Sequence, residues 1–201
     1  MRKTQWTKVE NLLDEVTVRK NTRFVACSVR VATVQQDDDD DAILHEIFDT
    51  LTARVRADPY AWDGVYAMQI QGLPAGLRAM AATHDLVVSL SQGDFLWHFR
   101  HCGEPNLVQE TETGLRELGL VKLAELFHEA YELVLPYLSG FPRNGHYDEY
   151  QLEEARMDRI NALTREAVKM NEAGGEQVSG SIVYGAWVRY ARAHPTGVFA
   201  G

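Results

Sequence analysis

The sequence predicts an all-α fold, with a compact multi-helix domain over residues 42–201 behind a small N-terminal appendage and an acidic linker. Three observations predict it. Apolar residues recur at i, i+3 and i+4 through most of residues 42–193. Proline and glycine fall between those stretches, where helices start and stop. Of the 201 residues, 45 % are hydrophobic and 24 % charged, which is enough apolar material for a real core.

The appendage spans residues 1–36. Trp6, Val9, Leu13 and Val16 lie at helical spacing and predict one amphipathic helix. Phe24 to Val34 fits either a short strand or a second short helix. Asp37 to Asp41 then set five carboxylates side by side. Like charges repel and resist burial, so this run reads as a solvated linker, and its aspartates also suit the start of a helix.

In the main domain, Ile43, Ile47, Leu51 and Val55 form the stripe of a first helix, stopped at Asp58-Pro59. Pro74 in a first turn opens the next, with Leu77, Met80, Ala81, His84 and Val88 on one face and an end near Gly93. Asp94 caps a short helix to about His101. Pro105 opens another, with Leu107, Thr111, Leu115 and Leu118 inward, and Gly119-Leu120 predicts a Schellman stop. Leu120 to Leu138 is a strong helix through Leu123, Ala124, Phe127, Tyr131 and Val134. Ser139 to Gly145 is a loop. Tyr147 to Met170 is a long helix with Leu152, Ile160, Leu163, Ala167 and Met170 inward. Ala173-Gly174-Gly175 breaks it, and Ile182 to Ala193 is the last, stopped by His194-Pro195. Phe95, Phe99, Leu118, Phe127, Tyr131 and Trp187 are the expected core.

Charge narrows the function. The chain carries 20 Lys+Arg against 29 Asp+Glu, a net of −9. Residues 1–30 hold a net of +4 and residues 31–201 a net of −13. Direct nucleic-acid binding needs the opposite sign. No apolar run reaches the roughly 18 residues of a membrane span, and the first residues lack the apolar core of a signal peptide. With Cys27 and Cys102 alone, no disulfide framework is expected, and the chain reads as a reduced, cytoplasmic protein.

The common catalytic signatures are missing: no P-loop, no G-x-G-x-x-G and no G-x-S-x-G. His128-Glu129-Ala130-Tyr131-Glu132 and His45-Glu46-Ile47-Phe48-Asp49 approach H-E-x-x-H but carry a carboxylate where the second histidine belongs. The Asp37–Asp41 run lacks the glycine and the final glutamate of an EF-hand. His98, His101 and Cys102 are the densest group of metal-ligand types, with His98 and His101 at i, i+3. Without a second cluster, they read as part of a short helix packing its aromatic face. No catalytic residue, metal ligand or cofactor is assigned. His84, on an apolar stripe, reads as a hydrogen-bonded core histidine.

The carboxylates carry more information. At about 100° per residue, Glu125, Glu129 and Glu132 fall opposite the inner face of their helix, with rises of about 6 and 4.5 Å between them. Only Lys122 is close to this stripe in sequence. Asp148 and Glu149 open the next helix, followed by Glu153 and Glu154. Residues 104–154 hold eleven acids against three bases, a net of −8. Such a face is either simply solvated or presents charge to a basic partner.

Ser91-Gln92-Gly93-Asp94-Phe95-Leu96-Trp97-His98-Phe99 resembles a degenerate Asn-Gly-Gly-Phe motif with its following aromatics. Leu115-Arg116-Glu117-Leu118-Gly119 with Ala124 to Ala130, and Tyr190 to Pro195 with Phe199, resemble the middle and closing segments of the same family. The family is the bacterial DNA-mimic proteins, and the resemblance covers about residues 58–199. Gln92 stands for the family asparagine and Asp94 for its second glycine. The resemblance implies an all-α fold, no catalysis, a homodimer, and an acidic surface that binds a DNA-binding protein such as a transcriptional regulator. The expected function is therefore a non-enzymatic acidic interaction protein. Glu125, Glu129, Glu132, Asp148, Glu149, Glu153 and Glu154 are its candidate partner-binding residues. Two other readings stand beside it: an immunity-type protein that neutralises a toxin through the same surface, and a metal-dependent enzyme using His98 and His101.

Overall fold

The computed structural model describes residues 39–140, 152–173 and 180–199. Expectations for residues 1–36, and for the helix start at 147–151, lie outside them. Every regular element among the described residues is helical. In chain order these are α1 (Asp40–Arg54), α2 (Val65–Gln71), α3 (Ala75–Gln92), α4 (Phe95–Cys102), α5 (Pro105–Glu117) and α6 (Val121–Val134). A 3₁₀ turn (Leu135–Gly140) follows, then α7 (Glu154–Ala173), α8 (Ile182–Ala193) and the single turn α9 (Thr196–Phe199).

Local chemistry sets most of the ends. Asp39 caps α1 through the Asp41 N–H, and Asp40 and Asp41 occupy its first turn, so the last residues of the acidic run are helix rather than linker. Asp94 caps α4 at the Trp97 N–H, and Ser181 caps α8 at the N–H groups of Val183 and Tyr184. Glu104 caps α5, accepting from Asn106 and Leu107, with Pro105 at the first helical position. At its other end, the Leu120 N–H reaches the Leu115 carbonyl at 2.8 Å and the Gly119 N–H reaches Arg116 at 3.0 Å. This is a Schellman motif, and Gly119 supplies the positive φ it needs, +75°.

The core is built around α3, which is buried on nearly all sides from Leu77 to Leu90. Helix α5 crosses it most closely at Gly114, where a Cβ atom would lie 2.9 Å from the Ala79 carbonyl oxygen. Helices α4, α7 and α8 also pack on α3. Phe127 of α6 meets Phe95 and Phe99 of α4 at ring distances of 6.1 and 5.2 Å. The Trp187 indole N–H donates to Thr83 Oγ1 at 2.9 Å, joining α8 to α3. Buried Glu110 accepts from Arg78 and Gln71, which satisfies a charge that would otherwise be costly inside.

Some details differ from the sequence reading. Residues 65–71 form a helix that the periodicity did not reveal, and α9 continues past His194-Pro195. Pro74 is the residue before α3, not part of its first turn. Ser139 and Gly140 belong to the 3₁₀ turn instead of an open loop. Leu152 precedes α7, and both it and Met170 are half-buried. Tyr131 is also half-buried, while Phe95, Phe99, Phe127 and Trp187 are fully enclosed.

Candidate interaction surface

Helix α6 turns Leu123, Ala124, Phe127, Ala130 and Val134 into the core. Its opposite face carries Glu125, Glu129 and Glu132, all exposed. The burial of one face makes the other a rigid mount for the three carboxylates.

Helix α7 lies beside α6 and runs antiparallel to it. Lys122 approaches Glu166 at 3.8 Å, Glu129 pairs with Arg159, and the Leu133 carbonyl accepts from Arg156 at 3.3 Å. Partners that advance along one helix retreat along the other. The start of α7 therefore lies beside the end of α6, and Arg156 stacks over the Tyr137 ring there, 5.7 Å from its centroid. Exposed Glu153 and Glu154 belong to the same end of the pair as Glu132, while Glu125 lies toward the other end. Asp148 and Glu149 lie outside the described residues.

This pairing corrects the charge of the stripe. In sequence only Lys122 stands near it, yet the fold adds Arg159. Both Nε and Nη2 of Arg159 meet Glu129 Oε1, at 2.6 and 2.5 Å. Lys122 stands 3.9 Å from Glu125. Arg156 Nε lies 3.7 Å from Glu153. Such exposed pairs stabilise by only about 0–1 kcal/mol, but they cancel field. Among the described residues, Glu132, Glu154 and Asp158 have no ion-pair partner within 4 Å. The end where α6 finishes and α7 begins therefore keeps unneutralised charge at Glu132 and Glu154. Arg159 and Arg156 were visible in the sequence as i, i+3 bases, but their placement against α6 follows from the helix register.

A second acid group joins α5 to α6. Glu112 accepts from Arg116 and bonds His128 Nδ1, each at 2.9 Å. Burial works to raise the Glu112 carboxyl, but Arg116 and His128 together outweigh it and hold it below the usual range.

The histidines are engaged elsewhere. Ser89 Oγ donates to the Asp85 carbonyl at 2.6 Å, so His98 Nδ1, 2.9 Å from that Oγ, must be the donor to it. His98 is fully enclosed against Phe99 and Phe127, and burial pushes its pKa down to about 3. His101 stacks on Trp97 at 4.0 Å and bonds its carbonyl. Burial pushes the Cys102 thiol up. No group of three or more His, Cys, Asp or Glu able to hold a metal occurs among the described residues. Among the described residues, His98 and His101 belong to no such group. His84 meets the Tyr184 hydroxyl at 3.1 Å, at the edge of a cluster with Phe48 and Trp187.

No helix among the described residues is long and apolar enough to cross a membrane. Neither the curated proteins nor the solved structures hold a significant match to this chain. A family model does match, described as DMP19-like protein, over residues 71–194. That span runs from the last residue of α2 through the whole of α8, and so includes the α6–α7 pair and the core that mounts it. The chain belongs to the DMP19-like protein family, the family of DNA mimic protein 19.

Proposed function

We propose that this protein is a non-enzymatic DNA mimic, which uses the carboxylates of the α6–α7 pair to occupy the DNA-binding surface of a basic protein such as a transcriptional regulator. Family membership supports the class. The observation that carries the surface is the exposed row Glu125, Glu129 and Glu132, on a helix whose other face is locked in the core. Its rises of about 6 and 4.5 Å follow from helix geometry. Duplex DNA offers one negative charge per about 1.7 Å of axis, and a fixed row of carboxylates reproduces part of that field. Glu153 and Glu154 extend it at the end shared with Glu132, and Asp148 and Glu149 belong to the same proposal. Such a protein acts in the cytoplasm, and a homodimer would present the surface twice.

The test is capture of basic proteins from native lysate, followed by association kinetics against salt with the captured partner. Rates should fall steeply between low and physiological ionic strength, because exposed charges are screened beyond about 8–10 Å. DNA should compete for the partner. A partner whose association is independent of salt and unaffected by DNA would overturn the reading.

A further inference from the structure

Residues 55–64 cross from α1 to α2 without regular structure, and side chains fasten them down. Gln69 Oε1 accepts from the backbone N–H groups of Arg56 and Ala57, both at 2.9 Å. The Tyr60 hydroxyl donates to Asp85 Oδ1 at 3.0 Å. The Trp62 indole N–H donates to the His101 carbonyl at 2.9 Å. Trp62 itself takes a φ of +54°, uncommon for a bulky residue, and Asp63 Oδ1 accepts from the Val65 N–H where α2 begins.

Beneath this segment lies Asp85, a carboxyl group only 5 % exposed in the middle of the most buried helix. No cation pairs with it among the described residues. The titratable groups that face it are known. Asp58 and Tyr60 come from the crossing segment, Tyr66 from α2, and His84 is its neighbour on α3. Cys102 comes from α4, His98 meets its backbone from the same helix, and Tyr184 comes from α8. Tyr66 is held away by its own bond to the Ala81 carbonyl. Tyr60 is different, being 43 % exposed and lying edge-on to Trp97 and His101 at 6.5 and 6.2 Å. Among the described residues, the one side-chain hydrogen bond to the Asp85 carboxyl thus comes from a residue at the surface.

We propose that residues 55–64 form a proton-linked strap, closed over Asp85 while its carboxyl group holds a proton and loosened when that group ionises. A neutral carboxyl still accepts the Tyr60 hydroxyl through its carbonyl oxygen. An ionised one gains a stronger bond from Tyr60 but stays cut off from water without a cation, and such burial is costly. Here burial and Asp58 outweigh Tyr60 and His84, and the carboxyl lies above its ordinary range. Lifting Tyr60 admits water and releases the proton to solvent, so rising pH favours the open form. Cys102, fully enclosed and close to Asp58, Tyr60 and Asp85, is uncovered by the same movement.

Hydrogen exchange of the full chain between pH 5 and 9, corrected for intrinsic rates, reads the strap directly. Protection across residues 55–64 should fall several-fold as pH rises, while α6 keeps its protection. Asp85→Asn keeps an acceptor for Tyr60 but cannot ionise, so its strap should stay protected throughout. Tyr60→Phe should leave the strap poorly protected at every pH. At one fixed pH, in a Cys27→Ser background, a methanethiosulfonate should label Cys102 several-fold more slowly in Asp85→Asn and faster in Tyr60→Phe. An unchanged pH dependence in Asp85→Asn would assign the effect to other groups, such as the buried His84 beside it, and overturn the proposal. Wild-type protection that does not change with pH would overturn it even if Asp85→Asn does not fold.

Discussion

Arg159 and Glu129 stand thirty positions apart and share one carboxylate oxygen, with Arg159 Nε and Nη2 both within 2.6 Å of Glu129 Oε1. The contact joins the outer faces of α6 and α7 and removes one charge from the middle of an acidic row. Both side chains are about half exposed. The double-mutant cycle of Glu129→Gln and Arg159→Gln should therefore give a coupling of about 0.2–1 kcal/mol, shrinking as salt is added. Urea denaturation of the four proteins at two ionic strengths measures it. A coupling above about 2 kcal/mol, or one insensitive to salt, would contradict an exposed pair.

Phe127 and Tyr131 lie one helical turn apart on α6 but differ in burial. Phe127 is fully enclosed by Phe95, Phe99 and His98, whereas the Tyr131 ring meets Phe99 at 5.7 Å and remains half-buried. Phe127→Ala should cost about 3–5 kcal/mol through lost contacts and a residual cavity. Tyr131→Ala should cost clearly less. The denaturation midpoints of the two variants give the comparison, and equal losses would mean the face of α6 is misassigned.

His98 makes stability depend on acid. Its folded pKa is about 3, against an ordinary value of 6.5, because burial disfavours the imidazolium. Between those values the unfolded chain binds a proton that the folded chain refuses. Stability associated with this group is complete above about pH 6.5 and falls as pH drops toward 3, by on the order of 4–5 kcal/mol at the limit. His98→Gln retains an amide that can donate to Ser89 and does not titrate. Its denaturation midpoint between pH 7 and 4 should fall less steeply than that of the wild type. Parallel slopes would show that other groups govern acid unfolding.

Where the sequence was legible, the controlling chemistry was local. Gly119-Leu120, Asp94 and Pro105 act within a few residues of where they stand, and they mark the ends of α4, α5 and α6 at nearly the expected positions. Helix α2 was missed because seven residues hold too few turns for a period, and it starts after Gly64, behind an irregular segment, with no side-chain cap to mark it. The face of α6 was legible from Phe127 and Val134, so the exposure of Glu125, Glu129 and Glu132 followed. Their net field was not legible. It depends on which α7 side chains oppose them, and that register is set by burial of Ile160, Leu163 and Ala167 against neighbouring helices. Nor could Asp85 be singled out, since a single aspartate in a helix looks the same whether Tyr60 covers it or water does.

The same register ranks the acidic residues as partner contacts. Glu129 is already matched by Arg159, while Glu132 and Glu154 are exposed and have no ion pair among the described residues. A basic partner meeting this face gains little field from Glu129 and more from the α6–α7 end. Glu132→Gln with Glu154→Gln should therefore slow association more than Glu129→Gln does. Arg159→Gln should speed it by releasing the charge of Glu129. All of these changes are at the surface and should move stability by less than about 0.5–1 kcal/mol, so the rates report recognition and not unfolding. Replacing the same two glutamates by lysine should cost more than glutamine, because it sets like charges across the interface. Stopped-flow association with the captured partner at low and physiological salt provides the ranking, and the differences should narrow as salt screens them. If Glu129→Gln is the most damaging change and Arg159→Gln slows binding, then the Glu129–Arg159 pair is itself the contact, and the unpaired end of the helices is not the recognition surface.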